Sequence, residues 1–280
     1  DHRDLHSFPT RRSSDLAALK LICDREEEIK VFNAEEYWTV DCVMKKERKK
    51  FPIKLSTKNG KKIEIKNEDE AKIIVKELEK GEFVVAGIKK GKKVKNPLPP
   101  FTTSTLQQEA SKKLNFMTKR TMSVAQVLYE GVEVKGYGTV GLITYMRTDS
   151  VRISEAQGKA LEFINSTYGE EYSPEKPREY KGKKNIQDAH EAIRPTYVEI
   201  TPEIAKANLT SEQYKLYTLI WNRFMASQMA SCRLNTNSID IINGDYKFKA
   251  SGSTIDFDGF MKLYQYSNEE DAEGVILPVL

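Results

Sequence analysis

The sequence predicts an α+β chain in which a mainly helical segment is inserted into a strand-rich one. Across residues 37–94, aromatic and β-branched residues come in short runs, broken by one helical stretch. Across residues 104–224, apolar residues recur three and four apart, as on the buried face of a helix. From about Leu234 the period returns to two, through Ile239, Ile241, Tyr246, Phe248 and Ala250, as along a half-buried strand.

A chain of 280 residues accommodates one large domain or two ordinary ones, and at 39% hydrophobic it can bury a core. No apolar run approaches the roughly 20 residues needed to span a membrane. The cysteines, Cys23, Cys42 and Cys232, are scattered and form no C-x-x-C pair. Neither a disulfide framework nor a zinc ribbon is indicated, which suits a reducing cytoplasm. The net charge is only +4, but it is unevenly spread. Residues 41–95 carry 18 Lys/Arg against 9 Asp/Glu, whereas residues 255–280 carry one Lys against six acids. The basic stretch, with Lys89, Lys90, Lys92, Lys93 and Lys95 at its end, is a candidate nucleic-acid surface; a solvated lysine face is the plainer alternative.

Residues 1–16 do not match the rest of the chain in character. They lack the apolar core of a signal peptide and read as a non-native lead, with a basic arm as the alternative. From Ala17 a helix is expected, with Leu19, Ile22, Cys23 and Ile29 near one face. Residues 37–44 read as a strand and residues 45–50 as a charged turn. Asn59-Gly60 predicts a tight hairpin between Ile53/Leu55 and Ile63/Ile65. Asn67 is placed to cap a helix with Ala71, Ile74, Val75 and Leu78 inside, ended by Gly81. Residues 82–94 return to strand.

Residues 96–100 form a Pro-rich joint and the first boundary. Beyond it, Ser104-x-x-Gln107 predicts a capping box for a helix carrying Leu106, Ala110 and Leu114. A second helix carries Val124, Val127 and Leu128 and stops near Gly131. Next comes a glycine-rich turn. Ser154-x-x-Gln157 opens a helix with Ala156, Ala160, Phe163 and Ile164, closed by Gly169. Residues 170–185 read as a polar loop and residues 188–193 as a short helical turn. Thr210-x-x-Gln213 caps the last long helix, with Leu216, Leu219, Ile220 and Phe224 as its core stripe.

The chemistry is concentrated in residues 138–152, G-T-V-G-L-I-T-Y-M-R-T-D-S-V-R. A short apolar run delivers Tyr145 to a polar break ahead of a helix. A phenol there can serve as a nucleophile, with Arg147 as the planar fork that clamps a phosphoryl oxygen. In an extended segment the two point the same way; a turn at Met146 breaks that geometry. The plainer reading of Tyr145 is a packing residue with a wet hydroxyl. His190 is the lone histidine beyond the lead and, by itself, reads as structural more readily than functional. Arg194 is a second cation or a partner of Glu191. Asp256-x-Asp258 is a poor metal pair, since no further ligands accompany it. No G-x-x-x-x-G-K-[ST] loop occurs.

Four stretches in order, L-I-C-D-R-E-E-E-I-K from Leu21, P-F-T-T-S-T-L-Q-Q from Pro100, G-L-I-T-Y-M-R-T-D-S from Gly141 and A-H-E-A-I-R-P-T from Ala189, resemble the bacterial type IA DNA topoisomerase I family. The resemblance covers residues 17–280. It implies that Tyr145 is the nucleophile forming a 5′-phosphotyrosine link, with Arg147 as phosphate clamp and His190 and Arg194 as DNA contacts. It implies a β-rich arch, or gate, in two parts (36–97 and 230–280), with the helical tyrosine domain (98–229) between them and the end of a DNA-binding helical domain at 17–35. In the family, Mg2+ sits on a separate Toprim domain preceding the stretch that begins at Ala17, so this chain is expected to bind no metal and, alone, to be inactive. The expected partners are single-stranded and negatively supercoiled DNA, for a monomeric, cytoplasmic enzyme that needs no ATP. The alternatives are a non-catalytic single-stranded-DNA-binding module and a site-specific recombinase with a tyrosine nucleophile.

Overall fold

The computed structural model describes residues 11–46, 49–153, 156–180 and 190–265. It is a mixed fold of helices and antiparallel strands. Helix α1 (Arg11–Val31) starts upstream of Ala17 and is tied along its surface by Lys20–Asp24 at 3.0 Å and Arg25–Glu28 at 2.7 Å. Its expected apolar face is not covered: Leu19, Ile22 and Ile29 all stay exposed.

The strand expected over residues 37–44 starts later. Trp38 makes only an isolated bridge to Ile65, and β1 runs Asp41–Lys46. It pairs with β2 (Lys49–Lys58), which turns into the short β3 (Lys61–Lys62). Asn59 and Gly60 both take positive φ, 51° and 78°, as the primed turn requires. The centre of the expected charged turn, residues 47–48, lies outside the described residues.

Helix α2 (Glu68–Lys80) starts where Asn67 predicts: its side chain accepts from Glu70 N at 2.9 Å, and Glu68, Asp69 and Glu70 place negative charge at the helix N-terminus. Ala71, Ile74 and Leu78 are buried, but Val75 is exposed. α2 ends at Gly81, whose backbone is extended and which packs against Asn243: a Cβ there would lie 2.0 Å from Asn243 Oδ1. Asn243 in turn donates to Leu78 O at 2.9 Å, locking α2 to the sheet.

The sheet is completed by β4 (Val84–Lys95), β7 (Cys232–Asn243) and β8 (Tyr246–Phe257), in the order β1-β2-β8-β7-β4, every pair antiparallel. Between β4 and β7, neighbours in space, lie the remaining α-helices of the described residues and a small hairpin. In chain order these are α3 (Thr103–Leu114), α4 (Thr118–Glu130), β5 (Val132–Val134), β6 (Gly138–Val140), α5 (Ala156–Tyr168), α6 (Pro202–Ala205) and α7 (Ser211–Gln228).

The described residues form two apolar cores. One lies under the sheet and α2, around Phe51, Ile53, Ile74, Ile239, Ile241 and Phe248. The other is helical, around Phe101, Leu106, Leu128, Met146, Tyr217 and Phe224. Strand β7 enters both: Cys232 belongs to the helical core, and Ile239 and Ile241 to the sheet core.

The helix signals hold at α7, where Thr210 and Gln213 form the expected reciprocal box. At α3 the box sits two residues earlier than expected, on Thr102 and Thr105 rather than Ser104 and Gln107. A threonine hydroxyl replaces the longer glutamine side chain there. Ser154 lies outside the described residues, and the Gln157 amide donates to Arg178 O and Gln228 Oε1. The helical turn expected at 188–193 is corrected over its described part. Ile193 bridges Phe101 and Pro195 bridges Ile143, so this stretch is extended. Asp188 and Ala189 lie outside the described residues.

Candidate active site

Tyr145 lies beyond β6 on a segment held from both sides. On one side, Leu142 N–H donates to Leu128 O at 2.7 Å, at the end of α4. On the other, Thr196 N–H donates to Leu142 O at 3.0 Å, and Thr144 N–H donates to Arg194 O at 3.0 Å. The Thr144 hydroxyl adds two bonds, donating to Ala192 O at 2.7 Å and accepting from Arg194 N at 3.0 Å. The segment therefore runs between the end of α4 and residues 192–196, with Leu142, Ile143 and Met146 buried beneath it. Met146 goes inward because the chain bends at residues 146–147.

This bend decides the geometry around Tyr145. The ring is half-buried and lines a pocket of about 930 Å³. It lies 4.7 Å from the His190 ring and 5.5 Å, edge-on, from the Tyr129 ring. Arg152 and Arg194 also line the pocket. Arg147 is exposed and is not among the residues lining this pocket.

Arg194 is buried and its fork is committed. Nε donates to Glu191 Oε2 at 2.9 Å, Nη2 to Glu191 Oε1 at 2.7 Å, and Nη1 to Pro195 O at 2.8 Å. A bidentate pair of this kind fixes both side chains. Arg194 therefore shapes the pocket floor, while Glu191 offsets much of its charge. Arg152 is exposed, and its Nε is 3.4 Å from Ser150 Oγ. Among the described residues, the pocket thus combines three phenols (Tyr129, Tyr145 and Tyr197), an imidazole and two guanidiniums with one carboxylate, Glu191, already engaged.

That donor set does not suit a magnesium ion, which prefers several oxygen ligands. Among the described residues there is no group of three or more His, Cys, Asp or Glu placed to hold a metal. Asp256 faces Asn235 (3.2 Å) and Arg233 (3.7 Å), and Asp258 accepts from Tyr172 Oη at 2.9 Å.

Lys89, Lys90, Lys92 and Lys93 lie elsewhere, on β4, the edge strand of the large sheet, opposite Ser238, Asn237, Asn235 and Leu234. All four are exposed and none lines the Tyr145 pocket. Lysines on an open edge also deter pairing with another strand.

Sequence reasoning missed Tyr129, Arg152, Thr144 and Thr103. Tyr129 had a local signal, standing in the last turn before Gly131. Thr103 had none, since its partners Met146 and Thr148 are more than forty positions away along the chain.

Fold and site together define an α+β protein with a tyrosine on the wall of a cationic pocket. The chain matches the DNA topoisomerase family model over residues 15–280, and it belongs to that family, in its bacterial type IA branch. Among solved structures, full-length topoisomerase I from Thermotoga maritima, in a monoclinic crystal form, is similar at 39% sequence identity and a TM-score of 0.72. The match covers 89% of this chain and 39% of that one, so this chain spans well under half the length of that relative.

Proposed function

We propose that the chain is the tyrosine-bearing part of a type IA DNA topoisomerase that relaxes negatively supercoiled DNA without ATP. The carrying observation is Tyr145 on an open pocket wall, in ring contact with His190. The Tyr145 oxygen attacks a backbone phosphorus, forming a P–O(Tyr) bond as the P–O3′ bond breaks. The phenolic proton is lost and the departing 3′ oxygen gains one, leaving a 5′-phosphotyrosine and a free 3′-OH. A second strand passes, and the 3′-OH reverses the step. The phosphodiester energy is kept in the tyrosine ester, so no nucleotide is consumed.

An ordinary phenol titrates near 10, so attack needs proton transfer and neutralisation of charge on the phosphoryl oxygens. His190 and Arg152 are the groups on the wall suited to contact those oxygens. Arg194 acts through Glu191 and the backbone it fixes. Arg147, outside the pocket here, becomes a phosphate clamp only if DNA approaches from its side of the bend. Magnesium, held by carboxylates outside this chain, would assist the 3′ oxygen. Residues 36–97 and 230–280 form the gate and residues 98–229 the tyrosine domain of a monomeric cytoplasmic enzyme. Among the described residues no helix is long and apolar enough to cross a membrane.

The test is covalent capture on a single-stranded oligonucleotide by the full-length protein containing this chain, with magnesium, on a denaturing gel. A protein adduct carrying the fragment downstream of the cut, through its 5′ phosphate, is expected, and Tyr145→Phe should abolish it while leaving DNA binding nearly unchanged. An adduct through a 3′ phosphate would mark a tyrosine recombinase instead. No adduct, with binding intact, would mark a single-strand-binding module.

A further inference from the structure

We propose that Thr103, outside the pocket and more than forty residues from Tyr145 in sequence, is a positioning residue for that tyrosine. The proposal rests on the reading of Tyr145 as nucleophile. Thr103 is the first residue of α3. Its hydroxyl reaches Met146 O at 2.8 Å and Thr148 O at 3.1 Å, and it accepts from Thr148 N at 2.8 Å. Its own backbone N–H donates to Thr148 O at 2.9 Å. One side chain therefore bonds to the backbone on both sides of the bend that turns Tyr145 toward the pocket and Met146 into the core.

The staple is itself anchored. Thr102, just before it, closes the reciprocal cap of α3 with Thr105, and fully buried Phe101 accepts from Ile193 N at 2.8 Å. That second contact joins the start of α3 to the extended stretch carrying Arg194. On the other side of Tyr145, the Thr144 hydroxyl makes the equivalent pair of bonds to Ala192 and Arg194. Tyr145 thus sits, half-buried, in a short span clamped on either side by threonine hydroxyls. In-line attack tolerates little error: a displacement of about 1 Å at the reacting atom costs roughly 100-fold in rate. The hydroxyl of Thr103, rather than its methyl group, holds the bend.

A packing role and a positioning role differ in which part of the side chain matters. In the full-length protein, single-turnover cleavage of a labelled oligonucleotide should fall about 100-fold for Thr103→Val, with the dissociation constant for DNA unchanged. Thr103→Ser, which keeps the hydroxyl, should cleave near the wild-type rate. Wild-type cleavage by Thr103→Val, or a Thr103→Ser variant as slow as it, overturns the proposal. Amide hydrogen exchange in the unsubstituted 280-residue chain provides a readout independent of any variant's folding: the Thr148 amide should exchange slowly, and exchange as fast as an open loop overturns the staple. If the wild-type enzyme forms no adduct, the nucleophile reading fails, and the exchange result still decides whether Thr103 holds the bend.

Discussion

The wall that carries Tyr145 and the edge that carries Lys89, Lys90, Lys92 and Lys93 are both cationic, yet they are built in opposite ways. Around Tyr145, side chains are placed by backbone hydrogen bonds from α3, the end of α4 and residues 192–196, over a fully buried floor. Along β4 the lysines extend from a strand exposed over nearly its whole length. Chemistry on one phosphorus atom needs sub-ångström placement, whereas attraction of a polyanion needs only charge at low cost in order. Side-chain packing and hydrogen bonding at the pocket, more than charge, separate the two regions.

The sharpest way to break this contrast is to treat His190 as another diffuse charge. His190→Ala in the full-length protein should lower cleavage about 100-fold, as loss of one well-placed phosphate donor does, with DNA affinity little changed. A loss confined to affinity would make His190 equivalent to a β4 lysine. Stability provides the next contrast. A Cβ on Gly141 would lie 2.6 Å from Tyr129 O, so Gly141→Ala should cost about 1–3 kcal/mol in urea unfolding, the usual range for forced overpacking. Lys93→Ala on β4 should be close to neutral.

The β4 lysines should instead dominate the salt dependence. Replacing Lys89, Lys90, Lys92 and Lys93 with Gln should lower the salt slope of single-strand binding by about 0.7 per lost phosphate contact. An unchanged slope would leave these lysines as protection of the sheet edge. The smallest expected effect is on the β7–β8 pair. The Lys247 hydrogen bond holds the Asp240 carboxyl below its ordinary pKa of 3.8, with the charge of Lys247 adding to the shift. A depressed folded-state pKa gives stability that is full above the unfolded value and lost as pH falls through the folded one. The advantage of wild type over Lys247→Met should therefore be constant above about pH 5 and fade towards pH 2 in thermal melts.

How much the sequence disclosed depends on the range of the interactions. Asn59-Gly60, the Asn67 cap and the Thr210/Gln213 box are satisfied within a few residues, so spacing alone reveals them. The alternation through Ile239, Ile241, Phe248 and Ala250 likewise reports a face buried in place. The cap of α3 was misplaced by two residues because threonine and glutamine both close such a box locally. The bend at residues 146–147 was less accessible, because the Thr103 hydroxyl that meets Met146 O there lies more than forty positions away in sequence. The bare face of α1 shows the reverse: its periodicity is visible in sequence, but nothing among the described residues covers it.

The central claim is that Tyr145 carries the DNA. Its most direct test is to trap the covalent complex formed by the full-length protein on a single-stranded oligonucleotide, digest both components, and locate the nucleotide by tandem mass spectrometry. One modified peptide is expected, holding residues 141–147, with a 5′-phosphorylated nucleotide on the Tyr145 oxygen. A nucleotide on any other side chain, or an unmodified Tyr145 in a confirmed adduct, would contradict it.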